Sequence, residues 1–220
     1  MRILVLSDSH GRVGPMEEAV EAVRPQQIFH LGDGWDDARE LHRRYPDIPL
    51  HQVRGNCDYR PGEPEEETLL IGGLRILLCH GHRFGVKQSL LQAGYTAEER
   101  DLDCFLFGHT HQPFHDRRGK CTFLNPGSIG AFHGASFAVL DIGDGRLSAR
   151  LYRLGDPIRV VVTAVDMSTR RVDFAVDDEK ESGYTEEAKP VPRDADGRTG
   201  KKNKKGKKPP KRRTKGENKS

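Results

Sequence analysis

Apolar side chains run out at Val176. Of the 76 residues of the types Ala, Val, Ile, Leu, Met, Phe, Trp, Tyr and Cys, 72 lie in residues 1–176 and only 4 follow. A segment needs buried apolar surface to offset the entropy of ordering, so residues 177–220 are expected to be a disordered tail and the fold to come from what precedes them. Charge divides in the same way. Residues 201–220 carry 11 Lys or Arg against one Glu, a net of +10, so the formal +3 of the whole chain leaves −7 for residues 1–200. A lysine-rich end suits a polyanion by charge alone, which suggests non-specific contact with nucleic acid or the ribosome through residues 201–220. No run of 18 or more apolar residues occurs, and the N-terminus enters a strand pattern without a cleavable signal. Membrane and secreted classes are therefore disfavoured, and a cytoplasmic location is expected.

The first half alternates. Residues 2–7 (RILVLS) read as a buried strand, 15–23 as a helix, 28–31 as a strand, 35–44 as a helix with acids early and arginines late, and 50–54 as a third strand. This βαβαβ order predicts a parallel sheet. Two further runs, 68–71 and 74–79, are joined by Gly72-Gly73, a hairpin signal. Residues 86–101 look helical, with Gly94 leaving one helix or two open, and 104–107 read as a buried strand. Strands near 121–124, 136–141 and 147–152 suggest an antiparallel meander. The predicted fold class is α/β, with two stacked mixed β-sheets flanked by helices.

Each run that ends on polar residues ends on the same few types: Asp8-Ser9-His10, Gly32-Asp33-Gly34-Trp35-Asp36, Gly55-Asn56-Cys57-Asp58, His80-Gly81-His82 and Gly108-His109-Thr110-His111. An isolated Asp-x-His after a strand is usually a turn or a cap, and Gly-Asp and Gly-Asn are ordinary turn dipeptides. Five such clusters in order, each at the carboxyl end of a strand where α/β sheets bind ligands, point to one shared crevice. Imidazole with carboxylate suits divalent ions, and the number of ligands suggests two of them, clamped by a carboxylate for which Asp33 is the natural bridge. Manganese is the first expectation, with nickel, iron, zinc or magnesium as alternatives. The cysteines at 57, 79, 104 and 121 match no zinc or redox spacing, and Cys79 and Cys104, in apolar runs, read as reduced core residues. His30, His42, His51, His115 and His133 are read as core-edge or surface residues.

These blocks resemble the calcineurin-like metallophosphoesterases, whose signature runs D-x-H, G-D-x-x-D, G-N-[HC]-[DE], a G-H block and G-H-x-H. More narrowly, the chain resembles small bacterial and archaeal phosphodiesterases related to the retromer scaffold subunit, and the resemblance covers residues 1–154, including the loop Asn125-Pro126-Gly127-Ser128. The resemblance implies that Asp8, His10 and His111 hold one metal, that Asn56, His80 and His109 hold the second, and that Asp33 bridges them. Asp36 and Asp58 would then orient imidazoles from outside, or Asp36 would cap the second helix. The implied reaction is hydrolysis of a phosphodiester by hydroxide from a water shared by the metals, with Asn56 helping to hold the phosphoryl oxygens. The larger superfamily has a His where this chain has Cys57, and a thiol is a poor proton donor to an alkoxide, so His82 is the substitute candidate for acid or phosphate ligand. A non-catalytic scaffold of the same fold is the alternative, as is an RNA-associated phosphodiesterase that uses the basic tail.

Residues 155–176 predict a hairpin whose sequence resembles the last two strands of the S1 domain in ribonuclease R-like enzymes. Two strands of a five-stranded barrel cannot form its binding face, so an appended hairpin is expected. The domain reading is thus 1–154 phosphoesterase, 155–176 hairpin and 177–220 tail.

Overall fold

A computed structural model of the protein describes residues 1–156 together with the backbone of two strands between 160 and 176. The expected tail, 177–220, with its suggested nucleic-acid contact, lies outside the described residues.

The chain runs β1 (Arg2–Leu6), α1 (Val13–Val23), β2 (Gln27–His30), α2 (Trp35–Arg44), β3 (Leu50–Gln52), β4 (Glu66–Ile71), β5 (Leu74–Cys79), a 3-10 turn (His82–Phe84), α3 (Leu91–Glu99), β6 (Cys104–Leu106), β7 (Pro113–Arg118), β8 (Cys121–Pro126), β9 (Ser136–Gly143) and β10 (Arg146–Arg153). One sheet has the order β10-β9-β1-β2-β3 and the other β4-β5-β6-β8-β7. The predicted βαβαβ unit is present, with β1, β2 and β3 parallel. A second parallel set, β5, β6 and β8, forms the centre of the other sheet.

Alternation along β1 explains the layering. Ile3 and Val5 face Ile76, Leu78, Leu106 and Leu124 of the other sheet in the inter-sheet core. Leu4 and Leu6 pack outward beneath Met16 and Val20 of α1 and Leu41 of α2. A strand apolar on both faces must be covered on both, and β1 is buried throughout apart from its first residue. On the far side, α3 covers the second sheet through Ala93 and Ala97, which pack with Leu77, Phe105 and Phe123.

Three local expectations are corrected. The helix expected over 86–101 is shorter: residues 82–84 form a 3-10 turn closed by Gly85 at φ 60, and α3 is one helix that contains Gly94. The expected meander holds only in its last step: β9 and β10 pair antiparallel, but β9 lies in the first sheet against β1 and not beside β8. Strand β7 was not expected. Its residues, PFHDRR, are mostly exposed at a sheet edge, where a leading proline and charges are tolerated and no apolar run is required. The expected C-terminal hairpin exists as β11 (Val160–Asp166) paired antiparallel with β12 (Arg171–Val176), with a bulge between Val162 and Ala164.

Candidate metal centre

Parallel strands bring their carboxyl ends to one edge of each sheet, and the loops that leave them meet there. Asp8 follows β1, Asp33 follows β2, His80 follows β5 and His109 follows β6. Backbone bonds stitch the loops together: the Asp8 N–H donates to the Gly32 carbonyl at 3.0 Å, His10 to Asp33 at 3.1 Å and Gly108 to His80 at 3.1 Å. The sheets are joined at the same place, since the His80 ring Nδ1 donates to the Leu31 carbonyl at 2.8 Å. Asp8, His10, Asp33, His109 and His111 all have positive φ, from 45° to 67°. Non-glycine residues held in this region cost about 1 kcal/mol or more each, and the loops keep them there.

The donor atoms converge. Asp8 Oδ1 lies 3.1 Å from His111 Nε2 and 3.9 Å from His10 Nε2. The two imidazole nitrogens are 3.2 Å apart. A point equidistant from these three atoms lies about 2.0 Å from each, the length of a bond from a transition-metal ion to imidazole or carboxylate. Across the site, Asp33 Oδ2 is 3.3 Å from His80 Nε2, and the donors of Asp33, His80 and His109 all lie within 4.8 Å of one another. A third group joins His10, Asp33 and Cys57, so Asp33 is shared between the His10 side and the His80 side.

Burial makes this convergence costly without a cation. Asp8 and His80 are fully buried, and Asp8 Oδ1 and His80 Nε2 have no hydrogen-bond partner. With its Nδ1 proton donated to Leu31, a neutral His80 offers only a lone pair at Nε2, aimed at a carboxylate. Burial pushes the Asp8 carboxyl up, against the pull of His80, the Ser7 hydroxyl and His111. For Asp33 burial acts the same way but loses to the attraction of the adjacent His80 and the hydrogen bond from the Cys57 N–H, and the group stays well below the usual carboxylate range. Burial lowers His80 too, yet Asp33 and Asp8 outweigh it and the imidazole rises. Burial, then the neighbouring His80 charge, pushes His109 down to about 4. The donors therefore fit a divalent cation: the buried Asp8 Oδ1 and His80 Nε2 face the centre with no partner to balance them.

Asn56, Cys57 and His82 stand at the rim. The Asn56 side-chain amide donates to Cys57 Sγ at 3.3 Å, and burial and then the Asp33 carboxylate push the Cys57 thiol up to about 11. The four cysteines are all free. The His82 ring centroid is 5.5 Å from that of His80 and 6.2 Å from that of His109, and His82 belongs to none of the three donor groups. It lines a cleft of ~640 Å³ with Arg54, Arg83 and Glu65, where Glu65 pairs with both arginines.

The expected supporting roles of Asp36 and Asp58 are corrected. Neither touches an imidazole. Asp36 is exposed and pairs with Arg60, and the N-cap of α2 is Gly34. Asp58 accepts four backbone N–H groups, those of Asp33, Gly34, Trp35 and Gly55 at 2.8–2.9 Å, and so caps α2 from outside the helix while fixing the Asp33 turn. His30, expected at a core edge or on the surface, is fully buried beneath the site, with Nε2 3.2 Å from Ser9 Oγ. Burial lowers it to about 4. Other supports were not foreseen from sequence. Asp37 accepts from Ser9 Oγ and Gly11 N, and Ser7 donates to Asp8 Oδ2 at 2.6 Å. Asn125 donates to the Gly108 carbonyl and to Thr110, and Ser128 to the Asp8 carbonyl. The doubled Ser around Asp8 and the Asn-Pro-Gly-Ser loop were the available signals.

Two layers of mixed sheet with carboxylates and imidazoles gathered at the strand ends define a metal-dependent α/β sandwich. Residues 1–145 match the calcineurin-like phosphoesterase superfamily domain, and the chain belongs to that family, whose members depend on divalent metals. It is 35% identical over 163 residues to the probable metallophosphoesterase YsnB of Bacillus subtilis, covering 69% of this chain and 90% of that protein. A predicted phosphoesterase from Streptococcus pneumoniae is similar in structure, with TM-score 0.56 and 31% identity over 70% of this chain and 90% of its own. Wild-type Vps29 of Entamoeba histolytica complexed with Zn²⁺ is also similar, with TM-score 0.53 and 25% identity over 70% and 99% of the two chains. The chain is thus a metallophosphoesterase by family. No helix among the described residues is long and apolar enough to cross a membrane.

Proposed function

We propose that the protein is a two-metal phosphodiesterase whose catalytic unit is residues 1–154, the hairpin being an appendage. Asp8, His10 and His111 hold one ion, Asn56, His80 and His109 hold the other, and Asp33 holds both. Manganese is the first choice for this set of imidazoles and carboxylates. When bound, the two ions acidify water and draw charge from the phosphoryl group. The observation that carries this reading is the pair of buried, partnerless atoms, Asp8 Oδ1 and His80 Nε2, with Asp33 common to donor groups on either side of it.

The chain's own residues do the rest. Asp8 and Asp33 supply negative charge at fixed positions, one oxygen of each tied by hydrogen bonds, Asp8 to Ser7 and the His109 N–H and Asp33 to the Cys57 N–H, so that the other oxygen faces the centre. Asn56 would also help to hold the phosphoryl oxygens, and His82 is the candidate acid or phosphate ligand. A thiol at Cys57 is a poor proton donor to an alkoxide, so the leaving oxygen departs largely as the anion.

The test is metal content together with hydrolysis of bis(p-nitrophenyl) phosphate by the Mn²⁺-loaded protein. Two ions per chain and turnover are expected. Asp33→Asn should lose metal and lower turnover by about 10²–10³-fold, the several kcal/mol that Lewis-acid stabilisation supplies. A metal-free, inert wild-type protein would overturn the enzyme reading in favour of a partner-binding scaffold of the same fold.

A further inference from the structure

A sulfur atom stands among the oxygen and nitrogen donors of the metal centre. Cys79, Cys104 and Cys121 are buried in the core, whereas Cys57 is exposed. Its Sγ, a ring nitrogen of His10 and a carboxylate oxygen of Asp33 all lie within 4.8 Å of one another. Two atoms bound to a common ion at about 2.0–2.3 Å stand at most about 4.4 Å apart, so a shift of a few tenths of an ångström by an exposed side chain brings the three onto one ion. The backbone keeps the thiol on this side, because the Cys57 N–H donates to Asp33 Oδ1 at 2.8 Å. A second observation marks the same spot as a cation site: Asp8 Oδ1, fully buried and without a hydrogen-bond partner, lies 3.9 Å from His10 Nε2.

Carboxylate oxygens suit manganese, whereas a thiolate selects softer ions such as zinc. Only the thiolate binds a metal, so the ion has to displace the S–H proton, which an ion that bonds strongly to sulfur does and a hard one does not. The Asn56 amide donates to Cys57 Sγ at 3.3 Å, and a thiolate there accepts the same N–H, the kind of outer support that orients a ligand. We propose that Cys57 is a metal ligand selective for thiophilic ions: with Zn²⁺ or Co²⁺ its thiolate joins His10 and Asp33 on the ion, and with Mn²⁺ it remains a thiol. On coordination the sulfur gives a lone pair to the ion and its proton to solvent. The residue thereby sets which metal the centre keeps. This rests on the metal-centre reading above and not on the phosphodiesterase one.

The test loads the chelated, full-length protein with Co²⁺ alone, in the absence of oxygen, and follows near-ultraviolet absorption, where a sulfur-to-cobalt charge-transfer band reports the bond directly. The wild type should gain the band as Co²⁺ binds, and Cys57→Ser should take up Co²⁺ without it. Calorimetric titrations with Zn²⁺ and with Mn²⁺ give a second readout. Cys57→Ser should lower the ratio of zinc to manganese affinity by at least about tenfold, the lower end of what even an outer support contributes. Thermal melts of the chelated forms check that the variant folds, and the wild-type band is a test that needs no variant. Co²⁺ uptake by the wild type without the band overturns the proposal, as does a band that survives in Cys57→Ser or a zinc-to-manganese ratio equal in the two proteins. The readings fail separately. A protein that takes up no metal sinks the metal centre and the role of Cys57 together, whereas uptake without the band sinks the role of Cys57 alone. The band without diester hydrolysis by the Mn²⁺-loaded protein sinks only the hydrolase.

Discussion

Asp58 offers the sharpest separation between a supporting carboxylate and a metal ligand. Its Oδ1 accepts from Gly34 and Trp35 at 2.9 Å, and its Oδ2 accepts from Asp33 and Gly55 at 2.8 Å. Asp58→Ala strands four donors at once, two at the start of α2 and two in the turns that carry Asp33 and Asn56. An N-cap alone is worth about 1 kcal/mol, and hydrogen bonds to a charged acceptor about 1.5–3 kcal/mol each, but the site is partly open and water replaces some of them. A net loss of about 3–4 kcal/mol is expected, which lowers the melting temperature of a domain this size by about 10 °C. Asp58→Asn is the discriminating variant. It keeps one acceptor oxygen and turns an NH₂ group toward the other pair of N–H donors, so it should fall between wild type and alanine and not match the wild type. Loosening the Asp33 turn should also weaken metal binding by about 10–100-fold, the usual effect of losing an outer support. Circular dichroism melts of the chelated protein and calorimetric Mn²⁺ titrations measure the two effects. An alanine variant that melts within about 2 °C of wild type, or an asparagine variant indistinguishable from it, would refute the reasoning.

Three further outcomes are expected. Aryl phosphodiesters should be hydrolysed much faster than alkyl ones at matched binding, because no strong acid stands at Cys57; equal rates would show that a proton donor has been overlooked. His30 has a folded pKa of about 4 against 6.5 unfolded, so the folded state binds fewer protons between these values. Stability should be full above pH 6.5 and fall by about 3 kcal/mol as pH drops toward 4, a slope that His30→Gln should flatten in urea titrations of the chelated protein. Gly130→Ala should cost about 1–3 kcal/mol, because a Cβ there would overlap the Ser9 carbonyl oxygen, a backbone atom that cannot swing away. An unshifted melting curve would argue that the Ser128–Phe132 loop is not seated on the Asp8 turn.

The clustered aspartates and histidines were legible because each follows a short apolar run, and a buried strand must end where the polar residues begin. Helix α2 was legible to the residue through its early acids and late basic residues. Long-range choices were not. Nothing local distinguishes a β9 that pairs with its predecessor from one that crosses to the other sheet and pairs with β1. Strand β7 lacked the apolar signal because an edge strand needs so little burial. Asp36 and Asp58 looked alike as acids near a Gly-Asp or Gly-Asn turn, yet one meets Arg60 in solvent and the other receives four N–H groups.

Residue chemistry and order along the chain were enough to define the family, the layered α/β class and the donors that gather at the strand ends, since these follow from periodicity and from what imidazole and carboxylate can bind. Tertiary structure alone decided how those donors are held. The tautomer of His80 depends on a carbonyl from the opposite sheet, the stranded lone pairs of Asp8 and His80 depend on complete burial, and the Asp8 turn is held by a loop more than a hundred residues away. Contacts between residues distant in sequence carry no local pattern, and a short-range reading has nothing from which to infer them.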